Sequence, residues 1–487
     1  MIRNSLPLVL SFLPPFLLGY SIISILLRNT PPSLGGQLLK IVLGFGVGTG
    51  LSSCLLFLWL TAVGRCTPWF CLSEAGIALG TGTCAWRKCS RRNTGNQSSP
   101  HPASALPSLL RCGLPTAFWI AIGIAVVCMG CLSVNFPHGG WDTWSIWNLR
   151  ARFLFLGNDH WTDLLSLDLG VWSHADYPLL LPGIVARSWF FLGRETQLVP
   201  AVVASLMTLA VVALLATSVG SLRSRSNGYL AGLVLVGTPF FLHRGADQQA
   251  DVPMSFFLLA TLVLLWMRQK SDSNPIGCSI AAGITASLAA WTKNEGLLFL
   301  IALLVPMVWF AFRSPDRRRE FRHVLACALG ALPVLLLIAY FKIHLAPGND
   351  LLASQGGSST LHRLTEFSRY ASILGAFERQ LLHFGDCVVA PTPLLVFYLL
   401  IVGVHIEPRE RPALWTTIGC LTLVLLGYFL VYLTTPNDLS WHLRTSLNRL
   451  WLQLWPSFLF LIFVAARPTE NVSMKEAPET PGKAYAR

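Results

Sequence analysis

The chain alternates between long apolar runs and short polar segments along most of its length. Runs of about 17–25 apolar residues are long enough to cross a bilayer as helices. The regular apolar–polar alternation of transmembrane β-strands is absent. The pattern therefore predicts an all-α, polytopic helical membrane protein. About twelve spans are predicted, at 6–27, 38–63, 113–134, 198–220, 228–243, 252–268, 276–291, 296–312, 323–343, 387–405, 413–433 and 449–466.

Composition supports this class, since 53% of residues are hydrophobic and only 12% are charged. Soluble domains carry about 25% charged residues. The net charge of +13 comes largely from basic stretches such as RKCSRR and RSPDRRREFR. Basic residues favour the cytoplasmic side of a membrane, so we expect cytoplasmic N- and C-termini. The charge thus predicts topology, and nucleic-acid binding is an unnecessary assumption.

Three regions are predicted along the chain. Residues 1–112 contain two N-terminal spans and a basic cytoplasmic linker, and residues 113–466 form the main transmembrane domain. Residues 467–487 are a polar tail, which is predicted to be disordered, as is the Ser/Pro-rich part of the linker. The role of the two N-terminal spans is left open.

Two segments on the outer side, 135–197 and 344–386, are too long to be turns. Within the first, residues 178–192 are apolar but short for a span and contain Arg187. We expect an amphipathic helix in the membrane interface, with Trp189, Phe190 and Phe191 facing lipid. The second segment predicts one or two charged helices beside the membrane.

Ionisable residues collect at the outer ends of the predicted spans. Because such groups are costly against lipid, they usually face a cavity or each other. We therefore expect a functional site on the outer face. The candidates are Asp142, His174, Asp176, Arg244, Asp247, Asp251, Lys293, Glu295, Asp438, His442, Arg444 and Arg449.

The first candidate, Asp142, lies among tryptophans in GGWDTWSIWNLRA. It could cap a helix after the two glycines. Alternatively, partial desolvation between indoles would raise its pKa towards the working range of a general base. Both interpretations are compatible.

The other candidates also have structural alternatives. Asp251 precedes Val-Pro, as a helix N-cap would, and Asp247 could simply be solvated. Lys293 and Glu295 could form a self-neutralising pair, or the lysine could bind an anionic head group. In the last span, His442 and Arg449 lie near several tryptophans, which fits either an interfacial belt or a phosphate clamp. Asp142 with Asp247 or Asp251 could hold a divalent cation such as Mg²⁺ or Mn²⁺, but nothing requires one.

Residues 113–465 resemble bacterial GT-C glycosyltransferases, in particular the protein O-mannosyltransferase / lipopolysaccharide-core galacturonosyltransferase-like branch. The resemblance lies in the order of GGWDTWSIWNLRA, HADYPLLLPG, ADQQADVPMSFFLL, WTKNEGLL and NDLSWHLRTSLNRL. The second stretch stands where relatives often have a His-Pro-Pro-Leu type of sequence, which leaves the role of His174 open.

The resemblance implies a GT-C transferase that uses a polyprenyl-phosphate-linked sugar at the outer face of the bacterial inner membrane. Its acceptor would be a lipid, a glycan or a protein. The family's catalytic acid corresponds to Asp142, and its second-loop acids to Asp247 and Asp251. Lys293, Arg449 and Arg444 correspond to residues that contact the lipid phosphate. Further candidates for donor binding are Trp141, Arg150, His174, Asp176, Glu295 and His442.

The chemistry independently suits one acid with several cations. A phosphate leaving group, whose second pKa is near 6, departs without protonation. One base for the acceptor hydroxyl therefore suffices, and a single displacement inverts the anomeric carbon. The alternatives are a flippase or transporter without transferase chemistry, or a glycan polymerase or ligase. A transporter would be expected to place charges deep within spans, in two related halves.

Overall fold

The structure is a computed structural model, and it describes residues 2–28, 33–90, 108–270, 274–348 and 357–468. The described residues form helices joined mostly by short turns, with one isolated bridge between Val404 and Ala466. The long connection 157–179 instead contains the 3₁₀ helices Asn158–Leu165, Leu167–Leu169 and Val171–Ser173. The helices are α1 (Ile2–Ser11), α2 (Leu13–Leu26), α3 (Leu34–Val63), α4 (Pro68–Ser90), α5 (Ser108–Asn135), α6 (Asn148–Leu156), α7 (Leu180–Leu192), α8 (Leu198–Leu222), α9 (Arg225–Val236), α10 (Pro239–Ala246), α11 (Asp251–Met267), α12 (Pro275–Thr292), α13 (Glu295–Arg313), α14 (Arg317–His344), α15 (Gly357–Thr365), α16 (Phe367–His383), α17 (Pro391–Val402), α18 (Arg411–Thr434) and α19 (Leu439–Ala465).

Nine helices of the described residues are long and apolar enough to cross a membrane, and they coincide with nine of the predicted spans. A tenth span results if the bent pair α10–α11 is counted as one. The all-α, polytopic prediction is confirmed. The parts of the linker and tail that were predicted to be disordered, residues 91–107 and 469–487, lie outside the described residues.

The remaining predicted spans take a different form. The predicted span 228–243 is divided between α9 and α10, because Pro239 pushes the preceding Thr238 into an extended conformation (φ −92°, ψ 102°). A bend of 117° then separates α10 from α11, and α11 matches the predicted span 252–268 to within one residue at each end. The predicted span 387–405 is reduced to α17, which has 12 residues. The prediction of twelve spans was therefore too high for the described residues.

The helix α11 lies at the centre of the bundle. Every residue from Asp251 to Met267 is buried, and α8, α12 and α19 pack around it. A helix that is apolar on all sides is typical of a position surrounded by other helices. The polar first residue of α11, Asp251, is therefore held rigidly at one end of the bundle.

Contacts correct the predicted course of the first two spans. Leu26, the last residue of α2, accepts a hydrogen bond from Asn274, which precedes α12 at the end opposite Lys293. Gly64, after α3, lies beside Asp159 of the outer segment. Thus α2 ends, and α3 begins, at the end of the bundle that is remote from Asp142. The sequence predicted that both ends of the chain lie on the face opposite the site. The N-terminal end of α1 instead lies on the same side as the site, so this prediction was wrong.

The error arose because α4 was treated as part of a polar linker. This helix packs along α2 and returns the chain to the far end of the bundle. Its Glu74 is 1% exposed and pairs with Arg187 of α7, with the closest N–O distance 2.5 Å. Since this buried pair satisfies both charges, α4 can pack its inner face against α2 and α7 without a long apolar run.

The predicted interfacial helix 178–192 also differs from expectation. The helix exists as α7, but residues 180–189 are buried in the protein. Trp189 is 2% exposed and its Nε1 donates to the Thr196 carbonyl at 2.9 Å, so it does not face lipid. Phe190 and Phe191 are half-buried. Pairing with Glu74 allows Arg187 to enter the core, so α7 becomes a packed element beside the site.

Candidate active site

Asp142 lies where the outer segment turns from α5 into a π-helical turn, Thr143–Trp147. Such turns often occur at functional sites. The side chain makes no capping hydrogen bond, so the capping interpretation is not supported. Instead, Asp142 Oδ2 lies 2.5 Å from Arg449 Nη1, and the side chain is 25% exposed. This carboxylate is thus partly open to solvent and held by one cation.

The loop between α10 and α11 fixes the position of this turn. The Thr143 hydroxyl donates to the backbone oxygen of Asp247. Gly139 adopts a positive φ of +67°, and a Cβ there would lie 2.5 Å from the same oxygen. The glycine therefore allows the two backbones to approach closely. The Asp247 carboxylate pairs with Arg244 at 2.8 Å, so it supports the loop rather than opening towards Asp142.

Asp251 is the buried anchor of the site, with its side chain 1% exposed. Its Oδ1 atom accepts from Lys293 Nζ at 3.0 Å and from Gln453 Nε2 at 2.7 Å. Its Oδ2 atom accepts from Arg449 Nε at 3.0 Å. Because both oxygens bind side chains of other helices, helix capping does not account for this residue.

Lys293 occupies the turn between α12 and α13. Its Nζ lies 3.0 Å from Asp251 and 2.8 Å from Glu295, and 5.7 Å from the centre of the Tyr177 ring. Burial disfavours the charged amine, but the two carboxylates outweigh burial and raise the pKa of Lys293, so it is a cation at neutral pH. Glu295 keeps its other oxygen, Oε2, buried without a hydrogen-bond partner.

Arg449 joins the two halves of the cluster. Through Nη1 it contacts Asp142 and through Nε it contacts Asp251. Gln453, one turn later on α19, also contacts Asp251, and Tyr428 donates to Gln453 at 2.9 Å. The last helix therefore supplies both a cation and a neutral donor to the site.

A second group of polar residues borders this cluster. Asn294 donates to Asp176 Oδ2 at 2.6 Å and accepts from Lys342 Nζ at 2.8 Å. Lys342 also lies 3.6 Å from Asp176 Oδ2. Asn294 immediately follows Lys293, so the group ties the turn of Lys293 to the outer segment and to the end of α14.

Several predicted donor-binding residues take other positions. Arg150 is fully buried and donates to the carbonyls of Tyr177 and Ala175 at 2.7 and 2.6 Å. Burial lowers the pKa of Arg150 to about 10, although the nearby Asp176 opposes this shift. Arg150 is therefore still charged at neutral pH. It braces the outer segment from within, so the prediction that it binds the donor is corrected.

The remaining candidates lie around the cluster. His174 has a positive φ of 45° and stacks on Tyr177 at 4.9 Å between ring centres. His442 is half-buried, and its Nδ1 atom lies 3.0 Å from the Thr435 hydroxyl oxygen. Arg444 is exposed. Trp141 is 60% exposed, with Trp144 at 4.4 Å between ring centres. These residues could border a bound molecule without belonging to the charged cluster.

The proposed metal ligands do not form a metal site. Within the described ranges, no three His, Cys, Asp or Glu residues are grouped to hold an ion. Asp142 and Asp251 are bridged by Arg449, and Asp247 already pairs with Arg244. A cation would have to displace arginine from each of these carboxylates, so the residues present do not fit one.

Lys342, Asn294 and Tyr177 were not among the sequence candidates. Lys342 lies near the end of a span, where a lysine is usually an interfacial anchor. Asn294 and Tyr177 carry no charge, and nothing in their spacing distinguished them. The one signal for Asn294 and Tyr177 was that each directly follows a candidate in the sequence, Lys293 and Asp176 respectively.

The comparisons with known proteins bear on this geometry. Residues 178–343 match the family model described as dolichyl-phosphate-mannose-protein mannosyltransferase. The match indicates a membrane glycosyltransferase of the GT-C type. No curated protein and no solved structure matches the chain. The matched stretch contains Asp251, Lys293 and Glu295, whereas Asp142 and Arg449 lie outside it. The family implies a lipid-linked sugar donor and an acceptor.

Proposed function

We propose that this protein moves a monosaccharide from a polyprenyl-phosphate carrier to an acceptor hydroxyl, with inversion at the anomeric carbon. The observation that carries the proposal is the position of Arg449, which contacts both Asp142 and Asp251. The partly exposed carboxylate of Asp142 thus lies beside Arg449, which is joined through Asp251 to the buried Lys293. Direct displacement from a phosphate requires a base beside cations in this way.

Asp142 is the proposed general base. In the transfer step, the acceptor oxygen bonds to the anomeric carbon while the bond from that carbon to the phosphate oxygen breaks. The hydroxyl proton passes to Asp142, and polyprenyl phosphate leaves with the bonding electrons. Of the three carboxylates in the cluster, Asp142 is the most exposed, at 25% against 18% for Glu295 and 1% for Asp251.

Lys293 and Arg449 are the proposed phosphate-binding residues. An arginine forms strong paired hydrogen bonds with phosphate oxygens. A donor phosphate that replaces Asp142 at Arg449 Nη1 leaves the carboxylate free to accept a proton. Asp251 is proposed to hold both cations in place rather than to touch the sugar.

The site is proposed to face the extracytoplasmic side of a bacterial inner membrane. Basic residues are concentrated at the opposite end of the bundle, in the turns around 268–270, 313–322 and 409–411. The C-terminal tail is then cytoplasmic, and the corrected course of α1 puts the N-terminal end on the side of the site. A lipid, glycan or protein acceptor remains in the proposal.

Membranes that contain the wild-type protein test this function directly. They are incubated with polyprenyl phosphates bearing different radiolabelled hexoses or pentoses. The labelled acceptor and the unglycosylated polyprenyl phosphate are then both measured. We expect the labelled sugar to leave the carrier and unglycosylated polyprenyl phosphate to appear in equal amount. The configuration of the anomeric carbon should be inverted in the glycosylated product. Label that crosses the bilayer while still attached to the carrier would instead show a flippase.

A further inference from the structure

One turn of α3 packs against the segments that carry the charged residues of the site. Ser53 and Phe57 are four residues apart, so they share a face of the helix. They are 1% and 2% exposed. This helix belongs to the N-terminal region, outside the residues that match the mannosyltransferase family model.

The Ser53 hydroxyl joins two of these segments. It donates to the Leu179 carbonyl at 3.0 Å and accepts from the Trp291 indole nitrogen at 3.2 Å. Leu179 follows Asp176 by three residues, and Trp291 precedes Lys293 by two. A single buried hydroxyl therefore links the outer segment to the chain that leads into the turn of Lys293.

Phe57 extends this support to a third segment. Its ring lies 5.1 Å from the ring of Trp291 and 6.0 Å from that of Phe341, between centres. Phe341 immediately precedes Lys342, the residue that contacts Asn294. The same turn of α3 thus contacts the chain next to Asp176, Lys293 and Lys342.

The packing at Ser53 leaves little room for another arrangement. Gly183 of α7 faces it so closely that a Cβ on this glycine would lie 2.3 Å from the Ser53 oxygen. If the hydroxyl were lost, the Trp291 N–H would lose its buried acceptor, whereas the Leu179 carbonyl would keep the Gly183 N–H at 2.8 Å. The indole nitrogen can recover an acceptor only if its segment moves relative to the outer segment.

We propose that Ser53 is a positioning residue for sugar transfer, holding the segments of Asp176 and Lys293 at the spacing that donor binding requires. This inference rests on the proposed function. Ser53 does not touch substrate. Its effect passes through Lys293, so the affinity for the donor phosphate depends on the hydroxyl.

The test compares Ser53→Thr with Ser53→Val, two variants of nearly equal shape that differ in the hydroxyl. Thr61→Val is the matched control, since among the described residues the Thr61 hydroxyl bonds within α3, to the carbonyls of Phe57 and Leu58. Kinetics are measured on protein that elutes as a folded species. Hydrogen exchange of residues 177–180 and 291–295 is measured on the same samples.

We expect Ser53→Val to raise the donor KM at least about tenfold relative to Ser53→Thr, because small displacements of binding groups cost one to two orders of magnitude. The acceptor KM should not change, and both segments should exchange faster in the valine variant. Thr61→Val should behave as wild type.

Equal donor KM and equal exchange in Ser53→Thr and Ser53→Val would overturn the inference while leaving the proposed function intact. A merely structural hydroxyl would lower the yield of folded protein without changing the donor KM, which would also overturn it. If the wild-type protein transfers no sugar, the proposed function fails. Hydrogen exchange then decides alone whether Ser53 holds the two segments.

Discussion

Arg449 Nη1 lies 2.5 Å from Asp142 Oδ2, although 307 positions of sequence separate the two residues. The contact joins the outer segment to the last helix and closes the charged cluster. Arg449 also contacts the buried Asp251, so the same guanidinium holds one partly exposed and one buried carboxylate. The geometry required by direct displacement, a base beside phosphate-binding cations, depends on this contact.

Replacing Arg449 with lysine should weaken donor binding. A lysine has one compact ammonium group, which cannot join Asp142 and Asp251 as the planar guanidinium does. We expect Arg449→Lys to lower kcat/KM for the donor about 10- to 100-fold, equivalent to losing roughly 1.4–2.7 kcal/mol of transition-state stabilisation. Arg318→Lys, at an exposed position in the basic turn at the opposite end of the bundle, is the control and should have little effect. Both substitutions keep the positive charge, so the comparison isolates the guanidinium geometry. An Arg449→Lys variant with the donor kcat/KM of wild type would show that the bridge between Asp142 and Asp251 does not matter.

Neutralising Asp251 should destabilise the folded protein. Asp251→Asn leaves Lys293 and Arg449 beside an amide in a buried site, and breaking a buried ion pair costs about 3–5 kcal/mol. The free energy of unfolding in detergent should fall by that amount. Asp163→Asn, an exposed acid in the outer segment, should leave it unchanged. An Asp251→Asn protein as stable as wild type would remove its role as an anchor.

The pair between Glu74 and Arg187 should contribute to stability without taking part in chemistry. Glu74→Leu alone leaves a buried guanidinium without its carboxylate and should cost about 3–5 kcal/mol. The double variant Glu74→Leu/Arg187→Met removes both charges and should recover much of the loss. Thermal unfolding of the single and double variants measures this coupling. Additive losses would show that the two residues act independently.

Much of the fold could be predicted from apolar length alone. Nine predicted spans coincide with helices because each contains enough apolar residues to cross a bilayer. The predicted course of the chain failed at α4, whose Glu74 finds a buried partner 113 positions away. Sequence patterns do not show such long-range pairs, so α4 was taken for a polar linker and the first two spans were given the opposite direction.

The charged part of the site could also be predicted, because acids and bases at span ends need partners. The structure brings Asp142, Asp251, Lys293 and Arg449 together. Arg150 was misplaced because its partners are backbone carbonyls, which leave no trace in sequence. The catalytic roles stay predictions.

The most direct test of the account is the single-turnover rate of sugar transfer by Asp142→Asn, with Asp163→Asn as control. Since asparagine cannot accept the proton, the rate should fall about 10²–10⁴-fold, the usual contribution of a general base. Because the competing carboxylate has left Arg449, the variant should bind the donor at least as tightly as wild type. Transfer at the wild-type rate by Asp142→Asn would contradict the assignment of Asp142 as the base.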